Sequence, residues 1–114
     1  MTNRILKEND LEIYTSENQS KIMFIFPEEG ESEDDKLWSI CVPATGKEEL
    51  DDLLQAIDGK EDFFAFKNKI LVFDRENKQI QLSINHGDML TTTYFKLSEN
   101  MYVQVIENIN DILN

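Results

Sequence analysis

Lys47 to Asp58 reads KEELDDLLQAID and Glu99 to Leu113 reads ENMYVQVIENINDIL, and these two stretches decide the fold. In the first, Leu50, Leu53, Leu54 and Ile57 recur at helical spacing; in the second, Tyr102, Val105, Ile106, Ile109 and Leu113 do the same. Each reads as an amphipathic helix with one apolar stripe to bury. What precedes each helix is extended. Residues 10 to 58 and residues 63 to 113 therefore share one order, strands first and helix last, as a repeat of pattern without residue identity. The fold class expected is α+β: a single domain, residues 1 to 114, of two successive antiparallel strand-rich units, each closed by one amphipathic helix.

Working outward from the first helix, Thr45, Gly46, Lys47 and Glu48 form a capping-box sequence, and Gly59 supplies the stop. Pro43 closes the strand before it, Leu37 to Val42, in which Trp38, Ile40 and Val42 share one face and Ser39 and Cys41 the other. Upstream, Leu11 and Ile13 alternate with Glu12 and Tyr14, and Ser16 to Ser20 make a turn. Ile22, Met23, Phe24, Ile25 and Phe26 are apolar at both parities, as in a strand covered on both faces or lying at an interface. In the second unit, Phe63 to Phe73 holds one strand or two broken at Asn68, and Asp74 to Lys78 reverses the chain. Ile80, Leu82 and Ile84 then alternate with Gln79, Gln81 and Ser83, and Asn85-His86-Gly87-Asp88 is a tight turn. Along Met89 to Leu97, Thr91, Thr93, Phe95 and Leu97 can face inward while Thr92, Tyr94 and Lys96 face out; Ser98 caps the last helix.

The chain of 114 residues is long enough for one core, and its seven Phe, three Tyr and one Trp set it apart from disordered acidic proteins. Met1 to Asp10 contains no apolar run, so neither a secretory signal nor a membrane span is expected there, and a cytoplasmic location follows. Cys41 is the only cysteine, which excludes an internal disulfide. The net charge of -12 is unevenly spread. Residues 1 to 59 hold 15 acidic and 5 basic side chains, whereas residues 60 to 114 hold 8 and 6. Such a field repels phosphate backbones and attracts basic surfaces.

Catalysis needs a nucleophile, an acid/base pair or a metal in a defined constellation, and none is legible. His86 sits in a turn, Cys41 reads as a small buried hydrophobe of a strand, and Ser98 reads as a cap. No catalytic residue, cofactor or metal site is assigned, and the protein is expected not to be an enzyme. The acidic loop 28 to 35 (EEGESEDD) lacks the alternating ligands and closing Glu of a helix-loop-helix calcium site. It reads instead as a solvated docking strip for a basic protein, formed by Glu28, Glu29, Glu31, Glu33, Asp34 and Asp35, which Glu48, Glu49, Asp51 and Asp52 extend if the first helix lies beside it. Asp58, Glu61 and Asp62 can lengthen it further. A second surface is the outer face of the later strands, where Gln79, Gln81, Tyr94 and Lys96 resemble in type the platform of a single-stranded nucleic-acid binder. The surplus of apolar residues at Ile22 to Phe26 and at Phe63, Phe64 and Phe66 is what a homodimer would cover.

Antiparallel strands closed by a helix, with Phe95 to Ile112 (FKLSENMYVQVIENINDI) running from strand through Leu-Ser into an aliphatic stripe, resemble three families. They are the positive-cofactor-four coactivators, the Whirly proteins and the repeat of the purine-rich-element binders. That resemblance implies binding of single-stranded DNA, carries over no binding residue, and meets an acidic chain where those families are basic. The order strands, helix, strands, helix is also similar to dimeric type III secretion chaperones, whose first helix is not evident before Leu11. Acidic immunity proteins and DNA-imitating inhibitors are similar in composition. The function expected is a non-enzymatic acidic module binding a basic partner protein, of inhibitor, immunity, DNA-mimic or chaperone type; the alternative is single-stranded nucleic-acid binding by residues 60 to 114.

Overall fold

The computed structural model describes residues 3–9, 11–27 and 40–114. The first unit comprises β1 (Asn3–Glu8), β2 (Leu11–Ser16), β3 (Lys21–Phe26), β4 (Ile40–Thr45) and α1 (Gly46–Ile57). The second comprises β5 (Phe64–Phe66), β6 (Lys69–Asp74), β7 (Gln79–Asn85), β8 (Leu90–Lys96) and α2 (Glu99–Leu113). Each unit is a four-stranded antiparallel sheet whose strands lie in sequence order, followed by its helix. The fold is α+β in a single compact domain, and its radius of gyration of 13.8 Å is close to the roughly 13 to 14 Å expected at this length.

One core serves both units. Leu50, Leu53 and Ile57 of α1 and Tyr102, Val105 and Ile109 of α2 are all buried in it, together with alternate residues of the strands. Aromatic rings thread through it: Phe24 of β3 meets Phe73 of β6 at 5.7 Å, Phe26 meets Phe95 of β8 at 4.9 Å, and Phe73 meets Tyr102 edge-on at 6.3 Å. These tilted pairs, each worth about 0.5 to 1.5 kcal/mol beyond area burial, join the inner faces of the two sheets to α2.

Several expectations change in detail. The first unit begins at Asn3, not at residue 10, because β1 pairs with β2 from Asn3↔Ser16 to Glu8↔Leu11. Its two apolar residues, Ile5 and Leu6, are adjacent and fall on opposite faces, so they leave no alternation to read. The strand expected over Leu37 to Val42 begins outside the described residues; β4 runs from Ile40 past Pro43 to Thr45. Pro43 does not close it. β4 is an edge strand, where a residue without an N–H is tolerated. Cys41 is half-buried on the outer face rather than buried. Thr91 shares the inward parity of Phe95 but is exposed at the rim.

The helix ends also separate expectation from outcome. The Thr45 side chain makes no cap hydrogen bond, and it is the Thr45 N–H that donates to Glu49 Oε2 at 2.8 Å, so Glu49 takes the place expected for Glu48. Gly46 adopts φ +84° and donates its N–H to the Ser20 carbonyl at 2.8 Å, which fastens the start of α1 to the β2–β3 turn. At the other end Gly59 stops the helix with φ +80°: Lys60 N–H donates to Gln55 O and Gly59 N–H to Ala56 O, the paired bonds of a Schellman ending. Ser98 caps α2 as expected, its hydroxyl accepting from Met101 N–H. Residues 63 to 73 divide into β5 and β6 around Lys67 and Asn68.

Candidate functional site

The acidic surface is built on α1. Burial of Leu50, Leu53, Ala56 and Ile57 toward the core turns Glu48, Glu49, Asp51 and Asp52 outward, all four exposed. Asp58, Glu61 and Asp62 follow, exposed as well. Two of these carboxylates have structural partners: Glu49 holds the Thr45 amide, and Asp58 lies 3.8 Å from Arg75. Glu28, Glu29, Glu31, Glu33, Asp34 and Asp35 lie outside the described residues. Their segment joins the chain at Pro27 and Ile40, while α1 starts at the far end of β4, about 17 Å away at the rise of a strand. The described residues that flank the segment, Pro27 and Ile40, are therefore at the end of β4 opposite the start of α1.

Both arginines are committed to fastening α2. Arg4 of β1 donates to Asn108 Oδ1 at 2.5 Å and Asp111 Oδ2 at 2.9 Å and also pairs with Glu17. Arg75, in the β6–β7 turn, pairs with Glu99 and lies over the Tyr102 ring at 5.7 Å. Hydrogen bonding to Asp111 raises the Arg4 pKa, and hydrogen bonding to Glu99 raises that of Arg75. Reciprocally, Arg75 holds the Glu99 carboxyl below its usual range. Asp74 is also lowered, first by the Asn77 side chain and then by its backbone N–H. Burial raises Tyr102, whose hydroxyl donates to the Gln79 carbonyl at 2.6 Å.

The second expected surface is brought together as read. Register places Gln81 beside Tyr94 and Gln79 beside Lys96 on the outer face of the second sheet. Tyr94 is 59% exposed. Ser83 and Thr92 share a hydrogen bond of 3.1 Å on the same face, and Ser83 is buried. The basic residues of this half do not converge there. Lys67 and Lys69 lie at one end of the second sheet, Lys67 over the Phe66 ring, whereas Arg75, Lys78 and Lys96 lie at the other. His86, exposed at the β7–β8 turn, edges a groove of about 710 Å³ that Thr91, Thr93, Leu11 and Glu8 also line. Among the described residues no three His, Cys, Asp or Glu side chains are grouped to hold a metal ion, and no helix is long and apolar enough to cross a membrane.

The sequence reading singled out Ile22 to Phe26 as two-sided but missed the row that continues its outer face across the first sheet. Ile5, Tyr14, Met23 and Pro43 are neighbours across all four strands, and Ile25 and Cys41 are neighbours in the adjoining row. Only the register shows this row, because its members come from four segments. Comparison with protein-family models, with curated proteins and with solved structures gives no match.

Proposed function

We propose that this protein is a non-catalytic acidic module that binds a basic partner protein through the outward arc of α1, with residues 28 to 35 as a further acidic tract. The observation that carries the reading is the inequality of charge: α1 turns Glu48, Asp51 and Asp52 to solvent, while both arginines are engaged by α2. Guanidinium is the side chain best suited to phosphate, and neither copy is placed on an open face. The acidic field steers a basic surface and sets the on-rate more than the off-rate. The partner classes that fit are a nucleic-acid-binding enzyme to be inhibited, a toxin to be neutralised or an effector to be escorted.

The alternative is favoured by a specific observation: each unit is four antiparallel strands closed by a helix, the order that the resemblance to purine-rich-element binders implies, and Gln79, Gln81, Tyr94 and Lys96 share one face. Against it stand a single exposed aromatic on that face and the divided lysines. Capture of partners by the native chain, identified by mass spectrometry, tests the first reading. Association should weaken as salt rises, and Glu48→Gln with Asp51→Asn and Asp52→Asn should slow it, as should neutralising Glu31, Glu33, Asp34 and Asp35. Tight binding of labelled single-stranded DNA or RNA, abolished by Tyr94→Ala and weakened by Lys96→Ala, overturns it.

A further inference from the structure

We propose that the outer face of the first sheet is the contact surface of a symmetric homodimer. Its centre is the row Ile5, Tyr14, Met23 and Pro43, flanked by Ile25 and Cys41. Ile5 is 67% exposed, and the other five are half-buried. The helices lie on the opposite side, since Leu50 and Ile109 are buried with the inward residues Val42, Phe24 and Ile13. Nothing in the fold of the described residues covers this row.

Charge identifies the occupant as a second copy. In a chain of net charge -12, this face carries Lys7, Glu12 and Lys21, with Lys7 and Glu12 3.9 Å apart as an ion pair. Two lysines against one glutamate leave this face without excess acid, so two copies meet there with little mutual repulsion, whereas a basic partner is drawn to the acidic arc of α1. Self-complementarity needs only apolar rows facing one another, which a two-fold axis supplies. Area sets the strength. Four strands about 4.8 Å apart and six residues long give a footprint of roughly 400 Å² per copy, about half that of a standard stable interface and in the range of weak, transient contacts, so the dimer should dissociate on dilution.

Salt separates this surface from the acidic site. Dimerisation should strengthen as salt screens the repulsion between two acidic chains, the reverse of the dependence expected for a basic partner. Sedimentation velocity of the full chain up to about 0.5 mM, at low and high salt, should show a reversible monomer–dimer equilibrium shifted toward dimer at high salt. Ile5→Lys, at a site already exposed, should weaken it at least tenfold with an unchanged denaturation midpoint, and Met23→Lys should act likewise. Leu90→Lys, on the second sheet, should leave it intact. Alkylation of Cys41 should slow as protein concentration rises. A strict monomer at all concentrations, a dimer indifferent to Ile5→Lys and Met23→Lys, or a Cys41 rate independent of concentration would overturn the proposal.

Discussion

Helices α1 and α2 bury equivalent apolar stripes, yet they are held in different ways. Against the core α1 offers only leucines, Ala56 and Ile57, and its polar ties are to its ends: Glu49 on Thr45, Gly46 on Ser20 and Asp58 near Arg75. By contrast α2 is fastened along its length. Its cap residue Ser98 donates its N–H to Glu8 of β1 at 2.8 Å, Glu99 pairs with Arg75, and Tyr102 donates to Gln79 O. Asn108, buried, donates to Thr15 Oγ1 at 3.1 Å and accepts from Arg4. A stripe fixes which side of a helix faces inward; directional bonds also fix its rotation and position. Glu99, Tyr102 and Asn108 of α2 are spent on architecture, whereas Glu48, Asp51 and Asp52 of α1 are turned to solvent.

The comparison predicts equal apolar and unequal polar sensitivity. The largest losses should come from Leu53→Ala and Ile109→Ala, about 2 to 5 kcal/mol each, measured by denaturant unfolding, because both side chains are wholly buried. A midpoint unchanged by either would break the equivalence of the stripes. Next, Asn108→Leu should cost about 1 to 3 kcal/mol by leaving the buried Thr15 hydroxyl without its partner. Tyr102→Phe should cost about 0.5 to 1.5 kcal/mol through the bond to Gln79. Smallest of all, Glu48→Gln with Asp51→Asn and Asp52→Asn should stay within about 0.5 kcal/mol, since these side chains are exposed. A large loss there would mean that α1 is fastened as α2 is.

Proton linkage tests the polar ties of α2 through the pH dependence of stability. Glu99 and Asp74 have lowered pKa values in the fold, so the stability they contribute is present above their unfolded values, near pH 4, and is lost as pH falls through the folded ones. Arg75→Gln should therefore shallow the acid limb of a stability-versus-pH curve. Tyr102 is raised, so its contribution is intact below its unfolded value of about 10 and is lost as pH rises beyond it; Tyr102→Phe should flatten that alkaline limb. An alkaline limb unchanged in Tyr102→Phe would show that burial of this phenol is not what the curve reports.

Legibility followed the periodicity. Leu50, Leu53 and Ile57, like Tyr102, Val105 and Ile109, announced their helices because three-and-four spacing is a local property. Ile80 and Leu82 announced β7 for the same reason at period two. Asn3–Glu8 gave no such signal: its inward residues are Arg4, Leu6 and Glu8, two of them charged, and those two find their partners in Asn108 and Asp111 for Arg4 and the Ser98 amide for Glu8, all remote in sequence. The partial failure of the Thr45 capping box has a comparable cause, since Gly46 is tied to Ser20, remote in sequence, and Glu49 reaches back instead.

By itself the sequence determined the order strands then helix in each half, the two buried stripes, the outward parity of Gln79, Gln81, Tyr94 and Lys96, and the excess of acid in the first half. All of these depend on spacing along the chain or on composition. Only the tertiary structure decided that both arginines are engaged by α2 and that Ile5, Tyr14, Met23 and Pro43 form one row. These facts depend on strand register and on which helix end meets which turn. Such pairings are selected by the energy of the whole packed core, and no local window of residues contains that energy.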